Sequence, residues 1–156
     1  MVGPVVKIAP EDLPRAANIH YVGGKTYEQL PSYLSGWDVA LMPFAINEAT
    51  QFISPTKTPE YLAGGKPVVS TPIRDVVRHY GHLEGVQIAY DCDSFVAACE
   101  KALTLSADPK GQWLAEADLL LSATSWDTTQ ARMAGLIRDV LGERTGVSQN
   151  MLVAAE

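Results

Sequence analysis

Cysteine is scarce. Cys92 and Cys99 are the only two in 156 residues, too few for a disulfide scaffold and in keeping with a reduced, intracellular protein. Long apolar runs are missing as well. The longest, residues 39–46, falls far short of the roughly 20 residues a membrane-spanning helix needs. No charged-then-apolar opening reads as a signal peptide. Positive charge is in deficit: Lys and Arg number 12 against 18 Asp and Glu, a net charge of −6. That balance works against broad binding to the phosphate backbone of DNA or RNA. Charged residues make up only 19% of the chain and apolar ones 47%, which argues against intrinsic disorder. These exclusions leave a soluble globular protein, expected in the cytoplasm.

Short β-type runs then alternate with amphipathic stretches. The runs are Val5-Val6-Lys7-Ile8, Ile19-His20-Tyr21-Val22, Val39-Ala40-Leu41-Met42, Val68-Val69-Ser70 and Val86-Gln87-Ile88-Ala89. Each is mostly apolar on both faces, as buried parallel strands are. Between them, Thr26 with Gln29 has the spacing of a capping box, and Tyr27, Leu30, Leu34 and Trp37 follow at helical intervals. Pro31 offers a second start for that helix. Another helix is expected between Ser54 and the stop at Gly64-Gly65. Phe95, Cys99 and Ala102, then Trp113, Ala117 and Leu121, then Met133, Ile137 and Val140 mark three more. Strands alternating with helices predict an α/β fold on a Rossmann-like parallel sheet. From Thr145 onward no periodicity is visible, so residues 145–156 are expected to form a flexible tail.

Ligands in open parallel sheets sit beyond the C-terminal ends of the strands. Of the loops leaving those ends, the one at residues 43–58 is the longest, and it is rich in polar residues without an apolar-face role: Asn47, Glu48, Thr50, Ser54, Thr56 and Lys57. Ser54-Pro55 and Thr58-Pro59 each read as a cap followed by a helix-starting proline. Free backbone N–H groups at such a start, with the Lys57 charge, suit an anion. Glu60 follows in the first turn, where a carboxylate can accept both hydrogen bonds of a vicinal diol. The plainer reading stands beside this one: two ordinary caps, and a glutamate that complements the helix dipole.

A larger pattern bears on the choice. Asn18-Ile19-His20-Tyr21-Val22-Gly23, Trp37-Asp38-Val39-Ala40-Leu41-Met42-Pro43-Phe44, Ser54-Pro55-Thr56-Lys57 and Glu60-Tyr61-Leu62-Ala63-Gly64-Gly65-Lys66-Pro67-Val68-Val69 together resemble the C-terminal, nucleotide-sugar-binding half of retaining GT-B glycosyltransferases of group 1. The resemblance implies that Glu60 holds the donor ribose, that Ser54, Pro55, Thr56 and Lys57 approach the diphosphate and sugar, and that Gly23, Gly24 and Lys25 border the nucleobase. Such enzymes carry a further glutamate earlier on the loop; Phe52 occupies its place, and Glu48 is the nearest candidate, expected to reach the sugar from a longer loop. Lys57 and Glu48 are thus the expected catalytic residues. A UDP- or GDP-linked sugar is the expected donor, with no separate cofactor and no metal.

The resemblance also implies what surrounds the chain. Residues 1–144 would be the donor domain, residues 2–8 its second strand, and the first strand-helix unit and the N-terminal acceptor domain would lie upstream. A fragment of this kind is expected to have weak or no transferase activity, and the full-length protein could sit peripherally at a membrane. The rival from a different class is a non-catalytic α/β assembly module that forms a homodimer through exposed sheet surface.

Overall fold

Three short parallel strands organise the chain in this computed structural model, which describes the backbone of residues 1–108 and 110–153 and the side chains to residue 142, apart from residue 109. They are β1 (Ala40–Met42), β2 (Val68–Ser70) and β3 (Val86–Ile88), in the order β1-β2-β3. Ala40, Val68 and Val86 stand in one register row, and Leu41, Val69 and Gln87 in the next. Around them lie α1 (Leu30–Ser35), α2 (Lys57–Ala63), α3 (Arg74–Tyr80), α4 (Cys92–Ser106), α5 (Gln112–Ser122) and α6 (Trp126–Val153). Helix α2 joins β1 to β2 and α3 joins β2 to β3, as parallel neighbours require.

Side chains alternate across a strand, and the two faces are filled differently. Ala40, Met42, Val68 and Val86 share a core with Leu62 of α2, Val76 of α3, and Trp113 and Ala117 of α5. Val69 points to the other side and is wholly buried; α4 packs on β2 and β3. Leu41, its neighbour in the row, stays 50% exposed.

Trp113 is the largest side chain in that core, 2% exposed, and its indole N–H donates to the Leu105 carbonyl at 3.2 Å. Two glycines make room for it. A Cβ on Gly85 would come within 2.5 Å of the ring, and one on Gly111 within 2.7 Å.

Two helix starts carry capping boxes. The Thr26 N–H donates to the Gln29 side chain at 3.0 Å, closing the expected box ahead of a short 3-10 turn, Tyr27–Gln29, which runs on into α1. The Asp91 carboxylate caps α4 by accepting from the Ser94 N–H at 2.8 Å. Ser94 is its reciprocal partner, its hydroxyl accepting from the Asp91 N–H at 3.0 Å.

Two of the five expected strands do not form. Val5, Val6 and Ile8 are exposed outside the sheet, at 45%, 66% and 53%, because strand preference needs a neighbouring strand to act on. Residues 2–8 are therefore not a strand. Of that stretch and the run at 19–22, only short pieces meet: Met1 donates to and accepts from the backbone flanking Tyr21, and the Gly3 N–H reaches the Gly23 carbonyl at 3.0 Å. Helix α3 was not foreseen. Arg74 and Arg78 are exposed on one side of this helix, and Val76 is buried on the other.

The stretch expected to be a tail is helical through Val153 in α6, while residues 154–156 lie outside those described. No proline interrupts residues 143–153, and a lone interior glycine such as Gly146 costs a helix only about 1 kcal/mol.

Candidate functional site

The seven residues of α2 divide by spacing. Thr58 and Leu62, four apart, turn inward and are 0% and 1% exposed. Lys57, Glu60 and Tyr61, at i, i+3 and i+4, share another face. That face borders a cavity of about 560 Å³. Sequence and packing thus send the two charged residues one way and the apolar anchors the other.

Gly24 and Lys25 line the same cavity, as do Val2, Gly3 and Pro4. Tyr27, Leu30, Pro31, Tyr33, Leu34 and Trp37 complete the wall. Trp37 meets Tyr61 edge-on, ring centres 5.9 Å apart at 69°. The Lys25 ammonium lies 5.4 Å from the centre of the Tyr33 ring, within reach of a cation–π attraction. Burial and, secondarily, the neighbouring Glu60 charge push the Tyr61 hydroxyl's pKa above its ordinary value.

Helices α1 and α2 are held together at the end away from Lys57. The Lys66 ammonium donates to the Ser35 carbonyl at 2.9 Å. Gly64 leaves space for Leu34, whose Cδ2 would lie 2.5 Å from a Cβ at that position.

A second cavity, about 550 Å³, adjoins the first and shares Val2, Trp37, Lys57 and Tyr61 with it. Its other walls are Met1, Val39, Leu41, Met42, Pro43 and Phe44. Lys57 therefore stands at the border of both.

Of the residues expected at a binding site, the first cavity brings together Gly24, Lys25, Lys57 and Glu60. Gly23 lies just outside it, in a left-handed turn (φ 69°) that few residues other than glycine adopt. Ser54, Pro55 and Thr56 border neither cavity. Neither expected serine nor threonine cap is used. Thr56 occupies the cap position of α2 without a side-chain bond, Ser54 is exposed two residues earlier, and Thr58 is inside the helix, its hydroxyl 3.8 Å from the Met42 sulfur. Pro59 sits at the third helical position, where no intrahelical bond from its nitrogen is called for.

Glu48 is exposed on a turn fixed by Asn47 and Thr50, and it borders neither cavity. The Asn47 side chain accepts from the Thr50 N–H at 3.1 Å, and the Thr50 hydroxyl accepts from the Asn47 N–H at the same distance. Of the aromatic wall, helical spacing marks only Tyr27 and Trp37; Tyr33 and Tyr61 are brought beside them by the fold. The wall's signal was present, since four large rings fall within the same span as the charged residues.

The arrangement has a definite chemical character. A carboxylate accepts two hydrogen bonds from a diol, a lysine supplies a mobile point charge for phosphate, and flat rings offer stacking surface. All three border one cavity.

Comparison with known proteins fits that character. Residues 2–105 match the family described as glycosyl transferases group 1. A protein of Bacillus subtilis (strain 168), named "Putative teichuronic acid biosynthesis glycosyltransferase TuaH", is 32% identical over 103 residues. That alignment covers 63% of this chain and 25% of the relative, so the match spans a quarter of the relative's length. No solved structure matches the chain.

Proposed function

Because the chain belongs to the group 1 glycosyltransferases, we propose that the cavity beside α2 is the donor site of a sugar-transferring enzyme. The observation that carries this reading is the shared face of α2: Lys57, Glu60 and Tyr61 border one cavity together with Gly24 and Lys25. Glu60 holds the ribose hydroxyls of a nucleotide-sugar. Lys57 lies beside the diphosphate and offsets the charge that grows on it as the sugar departs. Such stabilisation acts where charge develops, which is where it lowers a barrier. The loop that carries Glu48, Ser54, Pro55 and Thr56 leads directly into Lys57 and is assigned to the sugar end of the donor.

Transfer proceeds with retention at the anomeric carbon, from a UDP- or GDP-linked donor, to an acceptor held by a further domain. The isolated chain then binds donor but transfers sugar poorly or not at all. Titrating ¹⁵N-labelled protein with UDP and with GDP tests the site: the amides of Lys57, Glu60 and Tyr61 should shift together as nucleotide reaches millimolar concentration. Shifts confined to other regions, or none, would contradict it.

One observation favours an assembly role as a second reading. Leu41 leaves part of the sheet surface open, and Met133, Leu136, Ile137 and Val140 of α6 are each 55–60% exposed. Light scattering across a concentration series would show a dimer if that surface pairs two copies, and a constant monomer mass would dismiss it.

A further inference from the structure

Helices α1 and α2 both contribute to the first cavity, and a residue that does not border it joins them. We propose that Lys66 is a positioning residue for the donor cavity. Anchored at the end of α2, it holds the C-terminal end of α1 and so sets the place of Leu30, Pro31, Tyr33 and Leu34, which line the cavity. This rests on the donor-site reading above.

The anchor is main-chain. Gly64-Gly65-Lys66-Pro67 ends α2 and enters β2 within four residues. Gly65 adopts a φ of 68°, a left-handed turn that glycine enters without steric cost. That turn closes two bonds. The Gly65 N–H donates to the Leu62 carbonyl at 2.9 Å, and the Lys66 N–H donates to the Tyr61 carbonyl at 3.0 Å, the pattern of a Schellman helix end. Pro67 follows, fully buried, and leads straight into Val68. The Lys66 stem therefore starts from a fixed point, one hydrogen bond away from a residue that lines the cavity.

Helix α1 has little of its own to hold it. It has six residues, none of them buried, and a helix so short is marginal without outside contacts. It packs chiefly on the 3-10 turn that precedes it. Its sequence, Leu30-Pro31-Ser32-Tyr33-Leu34-Ser35, carries no charge, so no cation of its own meets the free carbonyls at its C-terminal end. Lys66 supplies one, its ammonium donating to the Ser35 carbonyl at 2.9 Å. Two apolar contacts lie at the same end: Leu34 in the space left at Gly64, and Trp37 edge-on to Tyr61. Apolar contact is non-directional, whereas the Lys66 bond has a direction and fixes where α1 sits along α2.

Calorimetric titration of the intact chain with UDP and GDP, on wild type, Lys66→Met, Lys66→Arg, Gly64→Ala and Glu60→Ala, tests this. Lys66→Met keeps the apolar stem and removes the donor; it should raise both Kd values roughly three- to tenfold, the scale of one net hydrogen bond. Lys66→Arg keeps charge and donors and should restore most of the affinity. A loss due only to the missing charge would be screened at about 1 M salt, where the Debye length is about 3 Å; the loss expected here persists. In ligand-free ¹⁵N spectra of Lys66→Met, the amides of Tyr27 and Leu30, away from the Ser35 end, should shift. Gly64→Ala drives a Cβ against Leu34 and should weaken binding with Lys66 intact, which keeps the test decisive if Lys66→Met does not fold. Unchanged Kd values in Lys66→Met or in Gly64→Ala overturn the proposal, as does a loss that Lys66→Arg does not restore or that vanishes at high salt. In each of these cases the donor-site reading stands if Glu60→Ala weakens binding. Failure of both nucleotides to bind wild type overturns both.

Discussion

The Thr58 hydroxyl meets the Met42 thioether across 3.8 Å, tying the first turn of α2 to the end of β1. Both residues are buried, at 0% and 3% exposure. Packing dominates this contact, because a thioether is a weak acceptor. Met42→Ala should therefore cost about 2–5 kcal/mol, as large-to-small core changes do. Thr58→Val, which keeps the shape, should change stability by less than about 1 kcal/mol. Urea midpoints of the two variants check this, and a larger loss in Thr58→Val would show that the hydroxyl matters more than its packing.

Trp113 depends on the absence of a side chain at Gly85. A Cβ there would stand 2.5 Å from Cε3 of the indole, and Trp113 has little freedom to retreat from a core in which it is 2% exposed. Gly85→Ala should destabilise by about 1–3 kcal/mol, the usual cost of overpacking. Thermal unfolding of the variant would contradict this if Tm were unchanged.

Much of this arrangement was legible in the sequence. The three strands that form are apolar runs set against clear punctuation: Pro43 after Met42, and Lys66-Pro67 before Val68. The Thr26–Gln29 box was readable because capping depends only on residues three apart. Val5-Val6-Lys7-Ile8 misled because β-branched residues express their preference only against a partner strand, and none lies beside them. Helix α3 was hidden behind its charged face, although Ile73, Val76 and Tyr80 gave the opposing stripe. Lys57 and Glu60 were legible as neighbours at a helix start from the Ser54-Pro55 and Thr58-Pro59 pairs, and the structure sets them on one face of α2. That Glu48 and Ser54 stand off from the cavity depends on the course of a loop held by Asn47 and Thr50, which no periodicity encodes.

The Asp91 cap makes stability depend on pH in one direction. Its carboxylate accepts from the Ser94 hydroxyl at 2.6 Å and from the Ser94 N–H at 2.8 Å, and these bonds hold its pKa below the ordinary 3.8. A lowered carboxylate contributes fully above that ordinary value and loses its contribution as pH falls through the folded one. Asp91→Asn retains a cap that cannot titrate. The difference in Tm between wild type and Asp91→Asn should therefore shift against wild type as pH falls from about 5 to about 2. A difference that is constant across this range would contradict the assignment.

Thr71, just past β2, has a buried hydroxyl oxygen without a hydrogen-bond partner among the described residues. Leaving such a group unsatisfied costs free energy that an apolar residue of the same shape avoids. Thr71→Val should be neutral or stabilising, by up to about 1 kcal/mol. A loss of stability in denaturant unfolding would show that the hydroxyl is engaged.

The donor-site reading turns on Glu60 more than on any other residue. Calorimetric titration of wild-type and Glu60→Ala protein with UDP and GDP tests it most directly. Binding of at least one of them at millimolar or tighter affinity, weakened at least about tenfold by the loss of a carboxylate that accepts two ribose hydrogen bonds, is the predicted result. Equal binding by both proteins, or none by wild type, would contradict it.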